Sequence, residues 1–301
     1  MTRLTILHET RYDYDRAVGF GLHRLLIRPR DSHSMRVVDA SLKVSPPGGI
    51  RWLYDALGNC VCLFQPRGEA ASLVITSRLV IERFPALLSG VAMDDPHTAV
   101  PIVYDREDRT IIAPFMEPAT DDADTTLLKW VRGLMARPDE PALDFVLRMN
   151  AAIHQFAYQT RVEEGCQSPM RTLSRGGGTC RDFAWLMVEG LRRLGFAARF
   201  VTGYVYCPGL DPGAACAAAS ANLRGAGATH AWCGVFLPGL GWVEFDPTNG
   251  LAESPDLIPV AVTRTPAQAA PVSGSVIGDP GCSTLSVKVE VSAFGDFKAV
   301  A

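Results

Sequence analysis

The stretch GGGTCRDFAWLMVEGLRRLG (176–195) places three glycines and a threonine directly before a cysteine that opens a helix. From there Phe183, Leu186, Met187, Gly190, Leu191 and Leu194 recur at i, i+3, i+4, i+7, i+8 and i+11, the spacing of a single apolar helix face. Gly195 closes the pattern as a helix stop. Cys180 lies three residues before Phe183, so it shares that face in the first turn and points toward whatever the helix packs on. Unpaired N–H groups converge at a helix N-terminus and favour a thiolate, which is the nucleophilic form of a cysteine. The glycines read as an approach path that lets backbone come close to a substrate and frees amide donors for a developing oxyanion.

Downstream, AARFVTGYVYC (197–207) reads as a strand, and the small-residue passage 208–228 as a mobile loop bordering a pocket. ATHAWCGVFLPGLGWVEFDPTNG (228–250) reads as a hairpin. With Leu237 opposite Gly241, the residues Ala231, Cys233, Val235, Leu237, Val243 and Phe245 form one apolar face. His230, Trp232, Phe236, Trp242, Glu244 and Asp246 then share the other face, which brings His230 and Asp246 close on adjacent strands. An even-numbered loop would separate them unless a bulge intervened. A cysteine nucleophile needs an imidazole as proton acceptor and donor, and a third group to orient the ring; Cys180, His230 and Asp246 are those three residue types.

Upstream, TLLKWVRGLM (126–135) and PALDFVLRMNAAIHQFAY (141–158) carry helical spacing, with Leu143, Val146, Leu147, Asn150, Ile153 and Ala157 on one stripe and His154 beside it as a helix residue. From residue 1 to about 115, short β-prone runs alternate with turn signals, as in LVITSRLVI and SLKVS, which predicts an antiparallel sandwich or barrel. Cys60 and Cys62 share a face there as small buried hydrophobes. The polar passage 94–125 is the join. The expected organisation is therefore α+β: a β-rich domain over 1–118, then a domain over 119–301 in which the helix-start cysteine packs on an antiparallel sheet. The alternating run 283–294 adds a strand to either sheet.

Composition excludes several function classes. The 301 residues are 48% apolar and 20% charged, with a formal net charge of −3, so no basic footprint for nucleic acid is present. No apolar run approaches a membrane span or a signal peptide, and the expected location is cytoplasmic. Eight cysteines form no CxxC pair, which argues against both a disulfide framework and a zinc site. The glycine run lacks the lysine of a phosphate-binding loop. No metal or cofactor is implied.

The blocks GTCRDFA (178–184), THAW (229–232) and GWVEFDPTN (241–249) resemble the three motifs of the transglutaminase-like superfamily, in its bacterial cysteine-protease-like branch. LTILHETRYDY (4–14), HRLLIRPR (23–30) and DALGN (55–59) are similar to the β-rich region preceding the catalytic domain in that branch. The resemblance implies a papain-like α+β core with Cys180 as nucleophile, His230 as general base and acid, and Asp246 as orienting carboxylate. Gly178, Thr179, Gln167, Trp232 and Trp185 are the candidates for the oxyanion wall and pocket, beside the N–H of Cys180 itself. Trp185 stands where the branch often has His, and the segment 262–271 lacks the branch's usual G-R-D-Y-like continuation. The implied activity is hydrolysis of a peptide or other amide through a thioester acyl-enzyme. Acyl transfer to an amine by the same triad and a non-catalytic binding role on the same fold are the alternatives.

Overall fold

The computed structural model describes residues 1–84, 99–160, 165–210 and 223–293. Two antiparallel sheets face each other in the N-terminal half. The first contains β1 (Thr2–Phe20), β3 (Met35–Ser45), β6 (Ala70–Arg83), β15 (Val276–Ile277) and β16 (Ser283–Ala293), with β1 in hydrogen-bonded contact with β6, β15 and β16. The second has the order β14-β2-β5-β4, with β2 (His23–Leu25), β4 (Gly48–Tyr54), β5 (Cys60–Pro66) and β14 (Val272–Ser273). Leu73 and Ile75 point inward from β6 with the period of two that the sequence shows, and meet Leu25, Cys62 and Phe64 from the other sheet. The Arg-bearing run 22–30 forms a strand only over His23–Leu25.

The second half is built on a sheet of order β12-β11-β10-β9-β13, made of β9 (Ala198–Val205), β10 (His230–Leu237), β11 (Gly241–Asp246), β12 (Leu251–Ala252) and β13 (Leu257–Thr263). Around it lie α1 (Arg106–Met116), α2 (Thr126–Gly133), α3 (Ala142–His154), α4 (Pro169–Arg175) and α5 (Cys180–Arg192), with a short parallel pair of β7 (Ala157–Tyr158) and β8 (Gly177–Gly178). Leu237 pairs with Gly241, and Ala231, Cys233, Val235, Leu237, Val243 and Phe245 all lie in the core under α5, as the hairpin register predicts.

Two helices depart from their sequence patterns. α5 is not half-solvated: every residue of it except Arg181 is buried, because helices and sheet enclose it on all sides. Its charges are neutralised internally, Arg192 and Arg193 each placing a guanidinium nitrogen 3.1 Å from the Glu189 carboxylate, which also accepts from the N–H groups of Ala119 and Thr120. In α3 the buried side chains include Phe145 and Met149, whereas Leu147 is exposed, and Ala157 belongs to β7 rather than to the helix. The bulkier phenylalanine and methionine fill the space beside α5.

Val100, Ile102, Ile112 and Phe115, which precede the boundary expected at 118, pack in the same core as α5. The C-terminal strand β16 runs along β1, from Leu4 opposite Ala293 to Tyr14 opposite Ser283, so it joins the N-terminal sheet. The two halves meet through Leu4, Ile6 and Ile81 on one side and Tyr204, Ile258 and Val260 on the other. Among the described residues no helix is long and apolar enough to cross a membrane.

Candidate active site

The site assembles where α5 begins and the β10–β11 hairpin opens. α5 starts at Cys180 because Thr179 and Asp182 form a reciprocal cap: Asp182 Oδ2 accepts from Thr179 N at 2.9 Å and from Thr179 Oγ1 at 3.0 Å. The other carboxylate oxygen accepts from Gln167 N at 2.7 Å, and Gln167 Nε2 reaches Oδ2 at 3.1 Å. Burial alone would raise the Asp182 pKa; these donors reverse that and hold it below the ordinary value. Asp182 is therefore the helix-start carboxylate that tethers the loop before Cys180.

This network reassigns the glycine run. Gly177 and Gly178 are buried rather than open to a substrate: β8 lies against β7, and a Cβ on Gly177 would meet the Ala157 carbonyl oxygen at 2.7 Å. A Cβ on Gly178 would meet Asp182 Cβ at 2.8 Å. Close packing around the cap requires these glycines. Thr179 N–H is committed to Asp182, and Gln167 Nε2 to Asp182 and the Gly177 carbonyl, so these expected oxyanion groups serve the scaffold.

Cys180 is 7% exposed and His230 1% exposed, and the two side chains interact directly. His230 Nε2 lies 2.8 Å from Asp246 Oδ2, with both side chains fully buried. A carboxylate only accepts, so Nε2 carries the hydrogen and Nδ1 is the nitrogen left to exchange a proton. Nδ1 is buried without a hydrogen-bond partner of good geometry, and a Cβ on Gly225 would overlap it. Burial opposes a charged ring, but Asp246 and Cys180 together outweigh it and push the His230 pKa up to about 10. Burial likewise opposes the Asp246 anion, while His230, Asn249 and the Thr248 N–H hold its pKa below the usual value.

Three residues that the sequence reading left unassigned complete the surroundings. Asn249 Nδ2 donates to Asp246 Oδ2 at 2.7 Å and to the Arg224 carbonyl at 3.1 Å, and its Oδ1 accepts from Arg224 N at 2.8 Å. The Arg224 guanidinium stands 5.3 Å from the ring centre of Tyr158, which senses the charges of Cys180, Arg181 and Asp246. Asn249 had a local signal, three residues after Asp246 in a turn; Tyr158 and Arg224 had none. His154 supports the same turn through Nδ1, 3.0 Å from the Thr248 carbonyl.

Trp232 lies behind His230, with ring centres 5.9 Å apart, and is fully buried against Val201, Val205 and Leu257. Its place is in the sheet's support and not on the oxyanion side. Trp185 lines a cavity of about 810 Å³ that runs between β1 and the start of β10, past Arg181, Thr202, His230 and Tyr12. His8, also on its wall, bonds Tyr204 Oη at 2.8 Å, and burial pulls its pKa down to about 4, so it is neutral. Residues 211–222 of the loop expected to border the pocket lie outside the described residues. Among the described residues no group of three or more His, Cys, Asp or Glu side chains is placed to hold a metal.

Comparison with known proteins agrees with this architecture. Residues 4–82 match the model of the bacterial transglutaminase-like N-terminal region, and residues 129–247 that of the transglutaminase-like superfamily. The uncharacterized protein ML0607 of Mycobacterium leprae is 26% identical over 292 residues, covering 97% of this chain and 99% of that protein. Rv2569c of Mycobacterium tuberculosis is 26% identical over 305 residues, covering 97% and 93%. A solved structure named a "Putative Cysteine Protease from Cytophaga hutchinsonii" has the same fold, with a TM-score of 0.68 and 19% identity over 99% of this chain and 92% of that one. With its bacterial transglutaminase-like N-terminal region and the helix-start cysteine beside the hairpin, the chain belongs to the transglutaminase-like superfamily.

Proposed function

We propose that the protein is a cysteine-dependent amide hydrolase acting on a peptide or another amide. The observation that carries this reading is the buried His230, in contact with Cys180 and hydrogen-bonded at 2.8 Å to Asp246, at the start of an enclosed helix. The Cys180 thiolate adds to the amide carbonyl carbon, and the carbonyl electron pair moves to oxygen. Cys180 N–H, which has no acceptor within the helix, is the donor best placed by position for that oxyanion. As the tetrahedral species collapses, the C–N bond breaks and the leaving nitrogen takes the proton from His230 Nδ1, leaving a thioester on Cys180. Neutral His230 next removes a proton from water, the hydroxide oxygen adds to the thioester carbon, and the C–S bond breaks to release the acid and restore the thiolate. Asp246 keeps the hydrogen on Nε2 throughout and stabilises the imidazolium. An amine in place of that water would give acyl transfer by the same first half.

The test is the rate of Cys180 alkylation by iodoacetamide against pH, mapped by peptide mass, in the parent protein and in His230→Ala. Fast labelling below neutral pH that disappears in the variant supports the thiolate–imidazolium pair. Labelling no faster than at Cys207, and indifferent to His230, would overturn it. Amide turnover is then assayed with and without added amine, which separates hydrolysis from transfer.

A further inference from the structure

The charge next to Cys180 has no counter-ion in the fold. α5 carries four charged residues, Arg181, Asp182, Glu189 and Arg192. Three of them are buried and bonded: Asp182 in the cap before Cys180, and Glu189 and Arg192 to each other at 3.1 Å. Arg181 alone is exposed, and among the described residues its guanidinium makes no ion pair and no hydrogen bond. It stands in the first turn of the helix, where the macrodipole favours an acidic side chain and opposes a cation, so the helix gains nothing from its charge.

That guanidinium lines the cavity of about 810 Å³, together with Trp185 one turn further along α5 and with His230. Across from the start of β10 the wall is formed by Thr10 and Tyr12 of β1, with Val287 and Leu285 opposite them on β16. No aspartate, glutamate or lysine occurs among the described residues that line the cavity, and Arg181 is the single arginine. The two other histidines on the wall do not add charge: burial pulls the pKa of His8 down to about 4, and that of His23 below its ordinary value. A cleft with mostly uncharged walls and charge of one sign concentrates its field on a ligand of the opposite sign. A guanidinium also meets a carboxylate edge to edge through two N–H groups.

We propose that Arg181 determines substrate specificity, and that the amide cut at Cys180 lies in an acidic peptide, with an aspartate or glutamate carboxylate beside the scissile bond on the Arg181 guanidinium. The identity of the bond cut rests on the hydrolase reading. The preference for negative charge does not, because binding and alkylation report it without turnover.

Iodoacetate and iodoacetamide, which are close in size and differ in charge, are the first probes. The ratio of their rates at Cys180 of the full chain, mapped by peptide mass, is compared with the ratio for 2-mercaptoethanol. A ratio about three- to fivefold higher at Cys180 is expected, falling as salt is raised. Arg181→Met should abolish the excess and Arg181→Lys should keep part of it, with iodoacetamide labelling little changed in both. An arginine that only favoured the thiolate would, on removal, slow both reagents alike, and that result would overturn the proposal. The second measurement is protection of Cys180 from iodoacetamide by acetyl-Ala-Glu-Ala-amide and by its Gln counterpart. The acidic peptide should protect at lower concentration in the parent and lose its advantage in Arg181→Met. Equal protection by the two peptides, absence from both included, would overturn the proposal. Fast, His230-dependent iodoacetamide labelling without any charge preference would leave the hydrolase reading standing and remove this one. A charge preference without amide turnover would do the reverse. Because Arg181 is exposed, its substitution leaves the core of α5 intact.

Discussion

Asn249 and His230 bind the same oxygen of Asp246: Oδ2 accepts from Asn249 Nδ2 at 2.7 Å and lies 2.8 Å from His230 Nε2. Asn249 also exchanges two hydrogen bonds with the backbone of Arg224, one residue before the Gly225 that abuts the imidazole. Orientation of the carboxylate and closure of residues 224–228 over the ring thus depend on one amide. Asn249→Ala is expected to lower the Cys180 alkylation rate about tenfold without unfolding the chain, through the loss of one charge-assisted hydrogen bond to Asp246 and of two hydrogen bonds to the Arg224 backbone. Amide exchange over 224–228 should quicken in the same variant. Unchanged protection there would show that Asn249 does not hold the segment.

Asp246→Asn separates geometry from charge, because an amide oxygen still accepts from Nε2 but no longer supports the imidazolium. His230 has a folded pKa raised from 6.5 to about 10, so its stabilising contribution is complete below about 6.5 and is lost as pH rises through 10. The parent protein should therefore lose melting temperature between neutral pH and pH 10 more steeply than Asp246→Asn does. Parallel melting curves would contradict the assignment.

Glu244 has the same direction of pH dependence as His230, from a different cause and in a lower window. Burial pushes its pKa up from 4.5 to about 7, against the opposing influence of Arg199, so the fold favours the protonated acid. Its contribution to stability is present below about 4.5, declines as pH rises through 7, and stays low above that. Glu244→Gln is expected to match the parent near pH 5 and to exceed it near pH 8 by roughly 1–3 kcal/mol, read from urea unfolding at the two values.

Glu189 holds two arginines and two backbone N–H groups inside α5's surroundings. Removing it strands the Arg192 guanidinium, whose side chain is fully buried. Glu189→Ala should cost about 3–5 kcal/mol and Glu189→Gln less, since the amide still accepts from Ala119 and Thr120. Denaturant unfolding of both variants checks the order.

How much of this was legible in the chain follows from the range of each interaction. The hairpin register, and with it the approach of His230 to Asp246, could be read from Ala231 to Phe245 because period-two alternation leaves only one register with a wholly apolar face. The start of α5 at Cys180 was equally local, written in the glycines before it and the apolar spacing after it. Periodicity failed for the other faces of α5 and for Leu147, because it reports one buried side and α5 is enclosed on every side. Glu189 and Arg192 look solvated in a linear pattern; only packing against residues 119–120 and Arg264 buries and neutralises them.

By itself, then, the sequence determined the elements and the three residues that meet at the helix start, since caps, turns and alternation act within a few positions. Tertiary structure alone decided that the glycines serve packing, that β16 returns to β1, and that Asn249 ties Asp246 to Arg224. Each of these joins residues distant in the chain, and their proximity depends on the closure of the whole core, which no local periodicity encodes.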